Sequence, residues 1–171
     1  DVDGHTELDD LNVAGVSTFS GGINGTLATA AQANITSVGT LTGLTVSADS
    51  TINSVTVGKG ANSVAGNTVL GESALDAATT GGNNTAIGKD ALGATTTGAS
   101  NTALGLQALR DNTTASNNTA VGLNALRLNS TGANNTALGY SALDANTTAN
   151  NNVAIGYNSL LLNTTGAENV A

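Results

Sequence analysis

The chain has 171 residues, a net charge of −8 and 39% apolar residues, but its only aromatic residues are Phe19, Tyr140 and Tyr157. It contains no cysteine, which excludes disulfides, thiolate metal sites and cysteine nucleophiles. Its four basic residues are scattered, so no basic patch is predicted to bind nucleic acid. No apolar run reaches the ~20 residues that a membrane-spanning helix needs, so we expect no membrane insertion.

Residues 1–66 are predicted to form an N-terminal β-rich collar, because short apolar stretches alternate there with turn-forming residues. The collar begins with five carboxylates: Asp1, Asp3, Glu7, Asp9 and Asp10. Carboxylates are the ligands that Ca²⁺ prefers, but the spacing is not that of an EF-hand, and a solvated acidic start is favoured. The single histidine, His5, has no partner for nucleophilic catalysis and is predicted to be an exposed polar residue.

Residues 67–171 consist of a 17-residue repeat, with six full copies in 67–168 and the start of a seventh. Asn, Gly and Leu recur at this step without insertion. We predict that the following repeat positions carry the structure: Asn84, Ile87, Gly88, Leu92, Asn101, Gly105, Leu109, Asn118, Gly122, Leu126, Asn135, Gly139, Leu143, Asn152, Gly156 and Leu160. A strict period is typical of stacked arrays. The predicted fold is therefore an all-β, solenoid-like or roll-like fibre of 17-residue rungs.

The first half of each repeat is predicted to be a strand. Thr85 and Ile87 are two residues apart and share one face, whereas Ala86 points to the other. Gly88 is expected at a bend or in a positive-φ conformation. The second half has two interpretations, because the residue before each Ala-Leu pair is in most repeats of a type that caps helices. That half is either a single helical turn or a second strand. Stacked asparagines are expected to pair their side-chain amides along the fibre.

Self-association is expected, since a chain so poor in large apolar residues buries little surface alone. We expect three chains to bury their Ala, Val and Leu faces around a shared axis. Whether each rung is completed within one chain or between chains stays open at this stage. The chain begins without Met and ends inside a repeat. This leads us to expect an internal piece of a longer fibre.

Several segments resemble known fibre proteins. The unit Asn84–Gly88, with its copies, resembles the N-S-V-A-I-G head repeats of trimeric autotransporter adhesins. The longer unit 118–132 resembles repeats of phage tail fibres and large bacterial surface proteins, and segments 1–19 and 31–46 resemble tail fibres of marine and cyanobacterial phages. Adhesin head repeats are usually shorter than 17 residues and lack the Ala-Leu-x-x-Asn half. The resemblance implies a homotrimeric extracellular fibre.

The expected function is therefore the structural shaft of an attachment fibre, located on a virion tail or at a cell surface. Such a shaft displays a receptor-binding tip, and a host glycan or protein would be bound by parts outside this chain. The nearest alternative is a bacterial surface adhesin or extracellular filament. No carboxylate pair recurs near a His or Lys at a catalytic spacing, so we expect neither an enzyme nor a cofactor.

Two columns of the repeat suggest other roles. Tyr140 and Tyr157 occupy one repeat position with Leu106 and Leu123, where interface or core packing is favoured over stacking on a glycan. A rival function of a different class is an ice-binding solenoid, in which a regular row of threonines orders water. The threonines at one repeat position are Thr80, Thr97, Thr114, Thr131, Thr148 and Thr165.

Overall fold

The computed structural model describes residues 49–77 and 79–171. This part of the chain is all-β, and its one helical element is a short 3₁₀ turn at Ala61–Ser63. The strands are β1 Ser50–Ile52, β2 Val55–Gly58, β3 Thr68–Gly71, β4 Thr85–Ile87, β5 Thr102–Leu104, β6 Thr119–Val121, β7 Thr136–Leu138 and β8 Val153–Ile155. The predictions for His5 and for the acidic cluster lie outside the described residues.

The eight strands form one sheet in chain order. Strands β3 to β8 are parallel, and each residue lies beside its equivalent 17 residues later, as Ala86 does beside Ala103. Backbone hydrogen bonds between rungs continue through the turns, for example from Leu92 N to the Ala108 carbonyl at 3.1 Å. The prediction of a β-solenoid with 17-residue rungs is confirmed, and each rung is completed within one chain.

Three apolar columns fill the interior of the solenoid. They are the Ala86, Ala91 and Leu92 columns, and Ala86, Leu92 and their equivalents in the next three rungs are 0% exposed. The interior of each rung is narrow. Alanine side chains are therefore large enough to pack against the side chains on the opposite side of the rung. The expectation that the Ala and Leu faces need a shared trimer axis was therefore wrong. Those side chains face the interior of their own chain.

Two asparagine columns complete the interior. Asn118 is typical: its amide Nδ2 donates to the Gly132 carbonyl at 2.9 Å, and its Oδ1 accepts from the backbone N–H of Asn135 at 2.8 Å. In the second column the amide of Asn146 donates to Asn129 Oδ1 at 2.9 Å, which is the expected side-chain ladder. No buried side-chain nitrogen or oxygen of the described residues lacks a partner. The polar interior is thus fully hydrogen-bonded.

The second half of each rung is a chain of overlapping turns. In the second repeat Ala91 N donates to Gly88 O at 3.3 Å, and Gly93 N donates to Asp90 O at 3.2 Å. The third residues of these two turns, Asp90 and Leu92, have φ of 58° and 54°. Positive φ at that position is the mark of a type II turn and does not occur in a right-handed helix. The structure therefore contradicts both interpretations of this half, the helical turn and the second strand.

Gly88 forms the corner between the strand and these turns. Its φ is 126°, and a Cβ there would lie 2.5 Å from the carbonyl oxygen of Gly105 in the next rung. Backbone therefore passes too close for any side chain, which explains why the position is Gly in every repeat. Strands β1 and β2 precede residue 67 and join the same sheet as the rungs. The proposed boundary between 1–66 and 67–171 stays a prediction.

Candidate functional site

The outer surface of strands β3 to β8, here called the strand face, presents two regular columns. One column is made of threonines and ends in a valine: Thr68, Thr85, Thr102, Thr119, Thr136 and Val153. The other is aliphatic: Leu70, Ile87, Leu104, Val121, Leu138 and Ile155. Leu104 and Leu138 are 44% and 45% exposed. The two columns contain no charged residue.

The corner column follows the Gly88 corner and extends the apolar surface. Its members are Glu72, Lys89, Leu106, Leu123, Tyr140 and Tyr157. The rings of Tyr140 and Tyr157 stack on each other with centroids 5.2 Å apart and an interplanar angle of 15°. Tyr140 and Tyr157 are 47% and 76% exposed, so the pair lies on the surface, and the alternative of core packing was wrong. The stacking of the two rings supports packing between rungs more than stacking on a glycan. The role of the pair stays a prediction.

A third exposed column, the Thr turn column, lies on the turn that closes each rung. It comprises Thr80, Thr97, Thr114, Thr131, Thr148 and Thr165, all exposed. The residues that immediately precede these threonines form a neighbouring column, and most of their hydroxyls donate to backbone carbonyls. Thr113 Oγ1, for example, donates to the Ser130 carbonyl at 3.0 Å. Parallel rungs repeat at about 4.8 Å, so the column is a row of hydroxyls and methyl groups at that spacing.

Ion pairs join neighbouring rungs on the surface. Arg127 donates two hydrogen bonds to the carboxylate of Asp144, 17 residues later, at 2.8 and 3.1 Å. These side-chain hydrogen bonds to Asp144 raise the pKa of the Arg127 guanidinium above its usual value. Lys89 and Glu72 form a similar pair at 3.0 Å, but both side chains are 52% exposed. Both pairs join residues that lie 17 positions apart in adjacent rungs.

A shallow notch of about 350 Å³ opens at Gly93, which lies between Asp76 and Arg110 in one repeat column. Asp76, Asp90, Asp111 and Arg110 line it. Arg110 is paired with Asp111 at 2.6 Å, so one of the carboxylates is already neutralised. Among the described residues no group of three or more His, Cys, Asp or Glu side chains is arranged to hold a metal ion.

The predicted repeat positions divide by direction. The asparagines and leucines of the repeat point inward, the glycines form the corner, and only the Ile87 position points outward. Sequence reasoning recognised that Thr85 and Ile87 share a face but not that this face is the outer one. The signal was present in the alanine between them, because alanine at this position in repeat after repeat suits the narrow interior.

No family model, no curated protein and no solved structure matches this chain. In the described part of the chain, no helix is both long enough and apolar enough to cross a membrane.

Proposed function

We propose that this protein is a structural shaft segment of a homotrimeric extracellular attachment fibre, and that the fibre is a phage tail fibre. The observation that carries the proposal is the uncharged strand face on a solenoid that closes its own core. A rod of six rungs at about 4.8 Å each is about 30 Å long. The rod has a defined length and regular lateral surfaces, and its described residues contain no metal cluster. These properties suit a spacer.

The strand face supports lateral assembly. Its aliphatic column and the leucines of the corner column form a continuous exposed apolar strip, and monomeric proteins rarely leave such strips uncovered. Copies of this chain repel one another through their net charge of −8. The strand face lacks charge, so it is the side on which that repulsion is weakest. Three copies meeting along this strip would cover it while leaving the polar turns outside.

The trimer is tested by placing charge on the strand face. The double variant Leu104→Glu, Leu138→Glu puts two carboxylates into the strip, and we expect it to sediment as a single chain. The control Thr114→Glu, Thr148→Glu adds the same charge to the same two rungs on the Thr turn column. We expect the control to keep the mass of three chains. Equal sedimentation of the two variants would contradict a trimer through this face.

Attachment to a phage is a separate claim and has its own test. Antibodies against the repeat, used in immunogold electron microscopy of phage particles from the source sample, are expected to label tail fibres. Labelling of cell envelopes instead would favour the alternative, a bacterial surface adhesin or extracellular filament. The neighbouring genes provide an independent test. Virion genes would support the phage tail fibre, and a membrane anchor or secretion module would support the adhesin or filament.

The Thr turn column favours ice binding as a second candidate function. Its six threonines are all exposed and follow one another at the rung spacing. Because the solenoid closes its own core, a single chain presents these threonines without a partner. A thermal-hysteresis assay decides this candidate: activity that is lost in Thr114→Val, Thr131→Val would support it. The absence of any freezing hysteresis in the unaltered protein would end it.

A further inference from the structure

Residues 49–64, here called the terminal cap, cover the first rung of the solenoid. Strand β2 pairs with β3 in the antiparallel direction, with Val57 opposite Leu70, whereas every later pair is parallel. Beyond β2 the cap continues around the rung. Ala61 N donates to the Leu75 carbonyl at 3.1 Å, and the amide of Asn62 donates to the Thr79 carbonyl at 3.0 Å. Backbone groups that would otherwise face a preceding rung are thus occupied.

The cap also closes the apolar core at this end. Val69 and Leu75 belong to the first rung, yet they are only 2% and 0% exposed. Gly60 lies directly over them with φ of 78°, and a Cβ at this position would come within 2.9 Å of the Leu75 carbonyl oxygen. Only glycine therefore fits where the chain crosses the top of the core.

Two local features hold the cap in shape. The carboxylate of Asp49 accepts hydrogen bonds from the backbone N–H groups of Lys59 and Gly60, at 2.7 and 2.6 Å. The β1–β2 turn has positive φ at both central residues, 48° at Asn53 and 67° at Ser54, as a tight two-residue hairpin requires. The cap is thus a braced hairpin and not a partly formed rung.

A stack of in-register parallel strands is a template for further strands wherever its edge is open. We propose that the terminal cap is a terminator, which prevents the edge of β3 from pairing with another copy of this chain. Its two components act together: the antiparallel hairpin removes the parallel template, and the Gly60 crossing removes the exposed core. This inference goes beyond the proposed function, because trimer contacts are lateral and the cap acts at an end of the rod.

The proposal is tested by opening the cap in the full chain. Thr56→Pro breaks the pairing of β2, which has neighbours on both sides. Gly60→Val separately blocks the crossing over the core. Ser54→Gly is the control, since glycine adopts positive φ readily and should keep the hairpin. All three are made in the Leu104→Glu, Leu138→Glu background and compared with it, so that lateral assembly does not contribute to the result.

We expect Thr56→Pro and Gly60→Val to keep the far-ultraviolet dichroism of the background and at least to double its mass in light scattering as protein concentration rises. Ser54→Gly should keep the background mass. Unchanged mass in both cap variants would overturn the proposal. A measurement on the unaltered chain serves if the variants lose their fold: amide hydrogen exchange in β3 should be as slow as in β5, and fast exchange in β3 would equally overturn the proposal.

Discussion

At the scale of single residues, asparagine helps to fill and stabilise the interior of the solenoid, a role that large apolar residues have in other cores. The asparagines of the inner columns are buried up to Asn152, and their side chains join adjacent rungs through backbone and side-chain groups. An unsatisfied buried amide costs about 1–3 kcal/mol, so the pattern stabilises only when every member is paired. This explains how a chain with few large side chains forms its core without contributions from other chains.

The first prediction concerns one of these asparagines. Asn118→Ala leaves the buried N–H of Asn135 without its acceptor, and we expect the free energy of unfolding to fall by about 1–3 kcal/mol. Chemical denaturation followed by circular dichroism measures it. The control is Asn117→Gly, an exposed neighbour with φ of 62°, which should change stability far less. Equal losses in the two variants would contradict the assigned hydrogen bonds.

The second prediction concerns the Gly88 corner. Gly88 and Gly156 share a φ of 126°, but an added Cβ would meet the Gly105 carbonyl at the first site and open space at the second. Gly88→Ala is therefore expected to lower stability by about 1–3 kcal/mol more than Gly156→Ala, the excess being the steric cost. Thermal unfolding of both variants measures the difference. Identical melting temperatures would show that only the torsion angle matters.

At single residues, the sequence predicted the structure correctly where a simple period determines the direction of the side chains. The alternation Thr85, Ala86, Ile87 predicted two faces, and the invariant Gly88 predicted a bend. It failed at Leu92, which adopts φ of 54° although it is not glycine. Such a conformation costs about 1–3 kcal/mol and persists only because burial of the side chain holds it. No local preference of the leucine reveals this, because the cause is the neighbouring rungs.

At the scale of elements, register is held by contacts that recur every 17 residues. Parallel strands as short as three residues have little stability alone, so the turns contribute to the interfaces between rungs, and two surface ion pairs each cross one of these interfaces. The sequence predicted the rung length and the strand position from the repeat alone. It did not predict the turn geometry, since Asp90 and its equivalents suit a helix cap as well as a positive-φ turn.

The third prediction compares the two ion pairs that cross rungs. Arg127→Gln leaves the carboxylate of Asp144 unpaired, and this side chain is only 15% exposed. We expect a loss of about 1.5–3 kcal/mol, the range for hydrogen bonds to charged groups. Lys89→Gln removes a pair whose side chains are both half exposed, and we expect no resolvable change. Urea denaturation at two salt concentrations measures both. A larger loss in Lys89→Gln would contradict the role of burial.

At the scale of the whole molecule, the solenoid closes its own core and leaves an apolar strand face exposed, which is the surface we propose for lateral assembly. The sequence predicted the solenoid because its period is strict and uninterrupted. It predicted the wrong residues for lateral contact, since composition suggested that the Ala and Leu faces were unburied in one chain. The narrow rung buries those faces, and we propose the outward column of Leu104 and Leu138 as the lateral surface in their place.

The most direct test is the mass of the 171-residue chain in solution by multi-angle light scattering over a range of concentrations. The account predicts one species with three times the chain mass of 16.5 kDa, and conversion to single chains in Leu104→Glu, Leu138→Glu. A single species of 16.5 kDa at all concentrations would contradict the trimeric fibre shaft. It would leave a monomeric solenoid whose exposed Thr turn column is then the first surface to investigate.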